Sequence, residues 1–134
     1  MNLSDKKIEN HLRALTNLFN TSQYDLLILK CKKIIKEFPE YVILYNILGS
    51  AYQNIGELGY AKEIFNKGIK MDPNNISIMN NLANTFKQIG EENAAENLYQ
   101  KIIEKNPKYI NAYINYGNLK KDANDYKEAI ELYN

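Results

Sequence analysis

The spacing of the prolines constrains the fold more than any other feature of the sequence. The chain holds three prolines, Pro39, Pro73 and Pro107, and each lies 34 residues from the next. A fixed period of this length is typical of stacked supersecondary units, in which each unit buries its apolar face only against its neighbours. The period therefore predicts an array of repeated units rather than one globular core.

Residues of the same size class recur at the same positions of this period, counted from Val42 as position 1. Position 8 is small and holds Gly49, Ala83 and Gly117. Position 20 is alanine, at Ala61, Ala95 and Ala129. Position 24 carries an aromatic ring, at Phe65, Tyr99 and Tyr133. Counting backward from Val42 gives a weaker copy, in which Leu15, Leu27 and Cys31 occupy the three positions.

The apolar residues within each unit have helical spacing, as in Val42, Tyr45, Leu48 and Tyr52. Position 15, which is glycine or asparagine, is expected to end a first helix because these residues accept the left-handed conformation. Each proline is expected to end a second helix. The predicted helices lie near residues 8–20, 24–37, 42–55, 58–71, 76–89, 92–105, 110–123 and 126–134.

This pattern of small, aromatic and turn residues resembles the tetratricopeptide repeat (TPR). The resemblance covers residues 8–134, and its first copy is divergent. It implies an all-α fold, a right-handed superhelix of antiparallel helix pairs (a TPR solenoid) with about 3.5 repeats. The expected division is an N-terminal tail at 1–7, a divergent first repeat at 8–41, repeats at 42–75 and 76–109, and a partial repeat at 110–134.

The sequence shows no group of residues that would carry catalysis, hold a metal or bind a cofactor. His11 and Cys31 are the only histidine and cysteine, and both occupy positions that hold packed residues in later repeats. With a net charge of +1 and lysines interleaved with acids, we expect neither a nucleic-acid nor a membrane partner. The densest basic cluster, at 30–36, is interpreted as a solvated face. Without a signal peptide or membrane span, the expected location is cytoplasmic.

The resemblance implies that the first helix of each repeat lines a concave groove through positions 2, 5, 6, 9, 12 and 13. Asparagine is enriched at these positions, although it is a mediocre helix former. A side-chain amide both donates and accepts hydrogen bonds, so it can pair with the backbone of an extended peptide. The predicted peptide-binding residues are Asn46, Ser50, Asn80, Asn81, Asn84, Asn111, Asn115 and Asn118.

Two TPR classes offer comparisons for this groove. The segments 80–84 and 115–118 are similar to the asparagine ladder of O-linked N-acetylglucosamine transferases, but Ile47 and Ser50 interrupt the ladder in the second repeat, as do Arg13 and Thr16 in the first. The chaperone-binding class clamps an acidic tail with Lys and Arg, which the matching positions here lack. A solvated groove in a sequence of AT-biased composition is the alternative explanation of the asparagines.

Three functions are consistent with the sequence. The leading hypothesis is a non-catalytic module that binds a protein or extended peptide in the groove. The second is the substrate-recruiting N-terminal part of a larger glycosyl-, methyl- or sulfotransferase, a class in which such repeats are found. The third is a scaffold that self-associates through an uncapped C-terminal edge bearing Ile130, Leu132 and Tyr133.

Overall fold

The computed structural model describes residues 2–134, which form eight α-helices and no strand. Short turns join the helices into four packed pairs. Unit 1 (Met1–Pro73) and unit 2 (Asn74–Asn134) are two compact units, each with four helices, and are described separately. The helices are α1 (Leu3–Asn20), α2 (Tyr24–Glu37), α3 (Val42–Asn54), α4 (Leu58–Met71), α5 (Ile76–Ile89), α6 (Glu92–Lys105), α7 (Ile110–Asp122) and α8 (Tyr126–Tyr133).

The turn between the two helices of each repeat has the same backbone conformation in all four repeats. Position 15 has a positive φ, at Gly56 (80°), Gly90 (94°) and Asn124 (62°), as the sequence predicted. Ser22 holds this position in the first repeat and also has a positive φ, of 56°. The left-handed residue ends the first helix of each repeat. Seven of the eight predicted helices agree with the structure to within one residue at each end.

The first helix begins earlier than the sequence predicted. We expected a tail at residues 1–7 and a helix from 8, but α1 starts at Leu3, five residues earlier. Asn2 caps the helix by accepting a hydrogen bond from the Asp5 amide at 2.8 Å. The Tyr41 hydroxyl then donates to Asp5 Oδ1 at 3.2 Å. This turn is held by polar contacts, which apolar periodicity does not reveal.

The core of each repeat depends on a size match between positions 8 and 24. A Cβ added at Gly49 would lie 2.6 Å from Phe65 Cδ1, and one added at Gly117 would lie 2.6 Å from Tyr133 Cε1. The glycine therefore makes room for the ring of the same repeat. In the divergent first repeat the two sizes are reversed. Position 8 is the large, fully buried Leu15, and position 24 is the small Cys31.

Cys31 and His11 lie in packed surroundings. Burial raises the pKa of the Cys31 thiol to about 12, and its Sγ donates to the Leu44 carbonyl at 3.4 Å. The His11 ring packs against Phe38 with ring centroids 5.9 Å apart. Both residues therefore occupy helix-packing positions, as the repeat pattern predicted.

Candidate functional site

In unit 1, the predicted groove positions of α1 and α3 meet in one pocket of about 200 Å³. The first repeat contributes positions 9, 12 and 13, and the second contributes positions 5, 6 and 9. The lining residues are Thr16, Phe19, Asn20, Asn46, Ile47 and Ser50, none of which is charged. Two of the predicted peptide-binding residues, Asn46 and Ser50, thus line the same pocket as the apolar side chains of Phe19 and Ile47.

In unit 2, one predicted groove residue lies beneath the surface. Asn80 on α5 is only 7% exposed, and its Oδ1 accepts a hydrogen bond from Asn115 Nδ2 on α7 at 3.2 Å. This differs from the expectation that Asn80 lines the groove. A buried amide oxygen needs a partner, and the amide of the neighbouring repeat supplies it. Asn80 and Asn115 therefore link the two helices.

Two further groove asparagines are held by tyrosines of their own repeats. The Tyr99 hydroxyl donates to Asn84 Oδ1, and the Tyr133 hydroxyl donates to Asn118 Oδ1. Tyr99 is fully buried, and this burial raises the pKa of its hydroxyl well above the ordinary value. The two amide oxygens are therefore occupied, and each side chain is turned so that its Nδ2 group points away from the tyrosine.

Position 9 is asparagine only in the repeats whose position 24 is tyrosine, and we did not predict this pairing from the sequence. Where position 24 has no phenol hydroxyl, position 9 has no amide: Ser50 shares a repeat with Phe65, and Thr16 with Cys31. The signal was present in the sequence as a co-variation between two repeat positions. Part of the asparagine enrichment therefore has an intramolecular cause.

The other predicted residues are more accessible. Asn111 is exposed, and Asn81, Asn115 and Asn118 are half-buried. At positions 12 and 13, Lys87 of α5 forms an ion pair with Asp122 of α7, with Nζ and Oδ2 3.3 Å apart. The net charge of this pair is zero, so the groove positions of unit 2 present amides, a neutralised ion pair and exposed Lys121 at position 12 of the last repeat.

A second polar cluster in unit 2 was not predicted. Lys120 Nζ lies 3.0 Å from Glu96 Oε2 and 3.3 Å from Glu128 Oε2, so it joins α7 to both α6 and α8. The Tyr116 hydroxyl donates to Glu96 Oε1 at 2.8 Å. Burial alone would raise the pKa of Glu96, but the hydrogen bonds from Lys120 and Tyr116 outweigh it and lower the pKa. The cluster ties three helices together.

Among residues 2–134, no three metal-binding side chains come together. No helix in this range has both the length and the apolar character needed to cross a bilayer.

Comparison with known proteins agrees with this architecture. Tetratricopeptide repeat family models match residues 42–75, and also 64–97 and 98–131. No curated protein matches the chain significantly. Two crystal structures of MamA are 26% and 27% identical to it and both have TM-scores of 0.76. They align with 99% and 89% of this chain, which spans 71% and 65% of theirs.

More distant structures share the fold. MamA from Desulfovibrio magneticus RS-1 has a TM-score of 0.82 at 16% identity, over 90% of this chain and 68% of its own. The first TPR of Spaghetti (RPAP3), bound to the HSP90 peptide SRMEEVD, has a TM-score of 0.78 at 15% identity, over 84% of this chain and 89% of its own. The 34-residue period, the paired helices and the family match lead to one conclusion: this chain belongs to the tetratricopeptide repeat family.

Proposed function

We propose that the chain is a protein-interaction module that binds extended peptides at groove-facing positions, those of α1 and α3 in unit 1 and those of α5 and α7 in unit 2. TPR domains are interaction modules, and the related fold of Spaghetti (RPAP3) holds a peptide. The observation that carries the proposal is the unit 1 pocket, because Asn46 and Ser50 stand beside the apolar side chains of Phe19 and Ile47. Such a depression can hold one apolar side chain of a peptide while the polar groups bind its backbone.

The charges at these positions favour a neutral peptide. The pocket in unit 1 is lined only by uncharged residues. In unit 2, Lys87 is neutralised by Asp122, so exposed Lys121 is left as a single cation, which is a weak site for an acidic tail. The peptide of the Spaghetti (RPAP3) structure, SRMEEVD, is acidic at its C-terminal end. We therefore propose a ligand that is recognised through backbone groups and apolar side chains rather than through carboxylates.

The groove proposal predicts which amide substitutions weaken binding. Peptides selected from a random display library on the 134-residue chain serve as ligands, and their affinity is measured by calorimetry. Because one hydrogen bond contributes about 1 kcal/mol, Asn46→Ala or Asn111→Ala should weaken binding about fivefold. Asn97→Ala, at an exposed position of α6, is the matched control and should leave affinity unchanged. Equal losses in all three variants, or none in either groove variant, would contradict the proposal.

A second candidate function is self-association through the last helix pair. Tyr133 is 46% exposed, whereas Tyr99 at the same repeat position is fully buried beneath a following helix. Ile110 and Ile130 are also exposed, and a pocket of about 380 Å³ is lined by Pro107, Ile110, Tyr113, Ile114, Leu132, Tyr133 and Asn134. We propose that a second copy covers this edge. Exposed Lys127 and Glu131 on α8 carry opposite charges that could pair across a two-fold axis.

Sedimentation equilibrium tests this association directly. The 134-residue chain should show a concentration-dependent dimer, and Ile130→Lys should shift it to monomer by placing a charge at the centre of the apolar edge. Lys101→Glu, at an exposed position of α6, is the control and should still dimerise. A parent chain that stays monomeric at all concentrations would rule out the second copy.

A further inference from the structure

We infer that the groove segment of unit 2 selects a ligand that presents carbonyl groups in the polyproline II conformation. Tyr99 and Tyr133 are the positioning residues that set this preference. The inference rests on the proposed peptide-binding function and names the conformation and polarity of the ligand. It is carried by the pairing of the two hydroxyls with Asn84 Oδ1 and Asn118 Oδ1.

The first step is the orientation of the two amides, which buried Tyr99 fixes at Asn84 and half-exposed Tyr133 favours at Asn118. An asparagine side chain can normally rotate to offer either its oxygen or its NH₂ group. Here rotation of Asn84 would leave the hydroxyl of fully buried Tyr99 without its acceptor, which is costly for a buried donor. The Asn84 oxygen therefore stays with the tyrosine. Within residues 2–134, the Nδ2 groups of Asn84 and Asn118 have no hydrogen-bond partner, so they are available as donors.

The second step is the spacing of these donors. Asn84 and Asn118 occupy the same position in adjacent repeats, on α5 and α7, which pack directly on each other. Packed helices lie about 8–10 Å apart, so the two donors are separated by roughly that distance. In a polyproline II helix, residues three apart face the same side and are about 9 Å apart. In a β-strand, residues on one side repeat every two residues, about 6.6 Å apart, which does not match.

The third step is the match in polarity. Proline has no backbone N–H, so a proline-rich segment presents only acceptors. The N–H donors of Asn84 and Asn118 complement such a ligand, whereas an ordinary peptide also brings donors that find no acceptor at these two positions. Exposed Ile114, on the same helix as Asn118, offers an apolar surface for a pyrrolidine ring. A proline-rich polyproline II segment is therefore the ligand class that fits unit 2.

Unit 1 provides an internal contrast. Its position 9 residues are Thr16 and Ser50, whose hydroxyls can both donate and accept. The position 24 residues of those repeats, Cys31 and Phe65, have no phenol hydroxyl that could fix a donor direction. The same selectivity is thus not expected in unit 1, and phenylalanine at Phe65 shows that the fold accepts a ring without the hydroxyl at this position.

Titration of the isotope-labelled chain with a capped nonaproline, Ac-Pro₉-NH₂, tests the inference by NMR. A capped Gly-Ser peptide of the same length is the control, because it is flexible and carries backbone donors. Nonaproline should shift the side-chain amide signals of Asn84 and Asn118 and should bind more tightly than the control. Tyr99→Phe should lower this preference about threefold to tenfold, since one oriented hydrogen bond is lost. Tyr126→Phe, at an exposed tyrosine, should leave it unchanged.

The outcomes separate this inference from the groove proposal. If the Gly-Ser peptide binds as tightly as nonaproline, or if Tyr99→Phe keeps the full preference, the inference is wrong. If nonaproline does not bind but library-selected peptides still depend on Asn46 or Asn111, the inference fails and the groove proposal stands. If neither kind of peptide reaches a groove residue, both fail.

Discussion

A Gly49→Leu substitution should strongly destabilise the chain, and Phe65→Cys should cost less in that background than it costs in the parent. Leucine at 49 places atoms inside the ring of fully buried Phe65, and such overpacking costs about 1–3 kcal/mol or more. Phe65→Cys alone removes a buried ring and should cost about 3 kcal/mol. The double variant recreates the native pair Leu15 and Cys31, so its loss should be smaller than the sum by about 1–3 kcal/mol.

Urea denaturation of the three variants measures this coupling. Gly59→Ala is the matched control, because Gly59 lies in α4 with nothing within 4 Å of an added Cβ. This control should be slightly stabilising, by about 0.5–1 kcal/mol, since alanine is the better helix former. Strictly additive losses in the double variant would show that positions 8 and 24 do not compensate each other in size.

Lys120→Ala should produce the second large effect, a loss of about 2 kcal/mol in the free energy of unfolding. Lys120 is 15% exposed and holds Glu96 and Glu128 of two different helices, so its removal leaves Glu96 without its cation. The Glu63–Lys67 pair is the control: its atoms are 3.7 Å apart and both side chains are more than half exposed. Lys67→Ala should change stability by less than about 0.5 kcal/mol.

The contribution of this cluster should also depend on pH. The pKa of Glu96 is lower in the folded chain than its ordinary value, so the folded state favours the carboxylate. The resulting stabilisation is fully present above the ordinary pKa and is lost as the pH falls through the lowered one. Parent and Glu96→Gln proteins should therefore differ in thermal stability near neutral pH and converge at acidic pH. A difference that grows on acidification would contradict this assignment.

The helix ends could be predicted because they depend on local backbone chemistry. Glycine and proline recur at fixed positions, and their conformational limits act regardless of what packs around them. The start of α1 could not be predicted in this way. Its first turn is held by the Asn2 cap and by Tyr41, which approaches Asp5 from the N-cap of α3.

The groove positions followed from the resemblance, but their hydrogen bonds did not. The resemblance implied groove positions on the first helix of each repeat, and in unit 1 those of α1 and α3 surround one pocket. It did not reveal that Asn80 is buried against Asn115, or that tyrosines hold Asn84 and Asn118. Each of these contacts joins residues at least 15 positions apart, so it depends on how the helices pack.

The most direct test of the account is to locate a bound peptide on the chain. The ¹⁵N–¹H NMR spectrum, recorded while a library-selected peptide is added, reports every backbone and side-chain amide. The account predicts that the largest shifts fall on groove positions of α1, α3, α5 and α7, including the side-chain amides of Asn46, Asn84 and Asn118. Shifts confined to α2, α4, α6 and α8, with those amides unmoved, would contradict it.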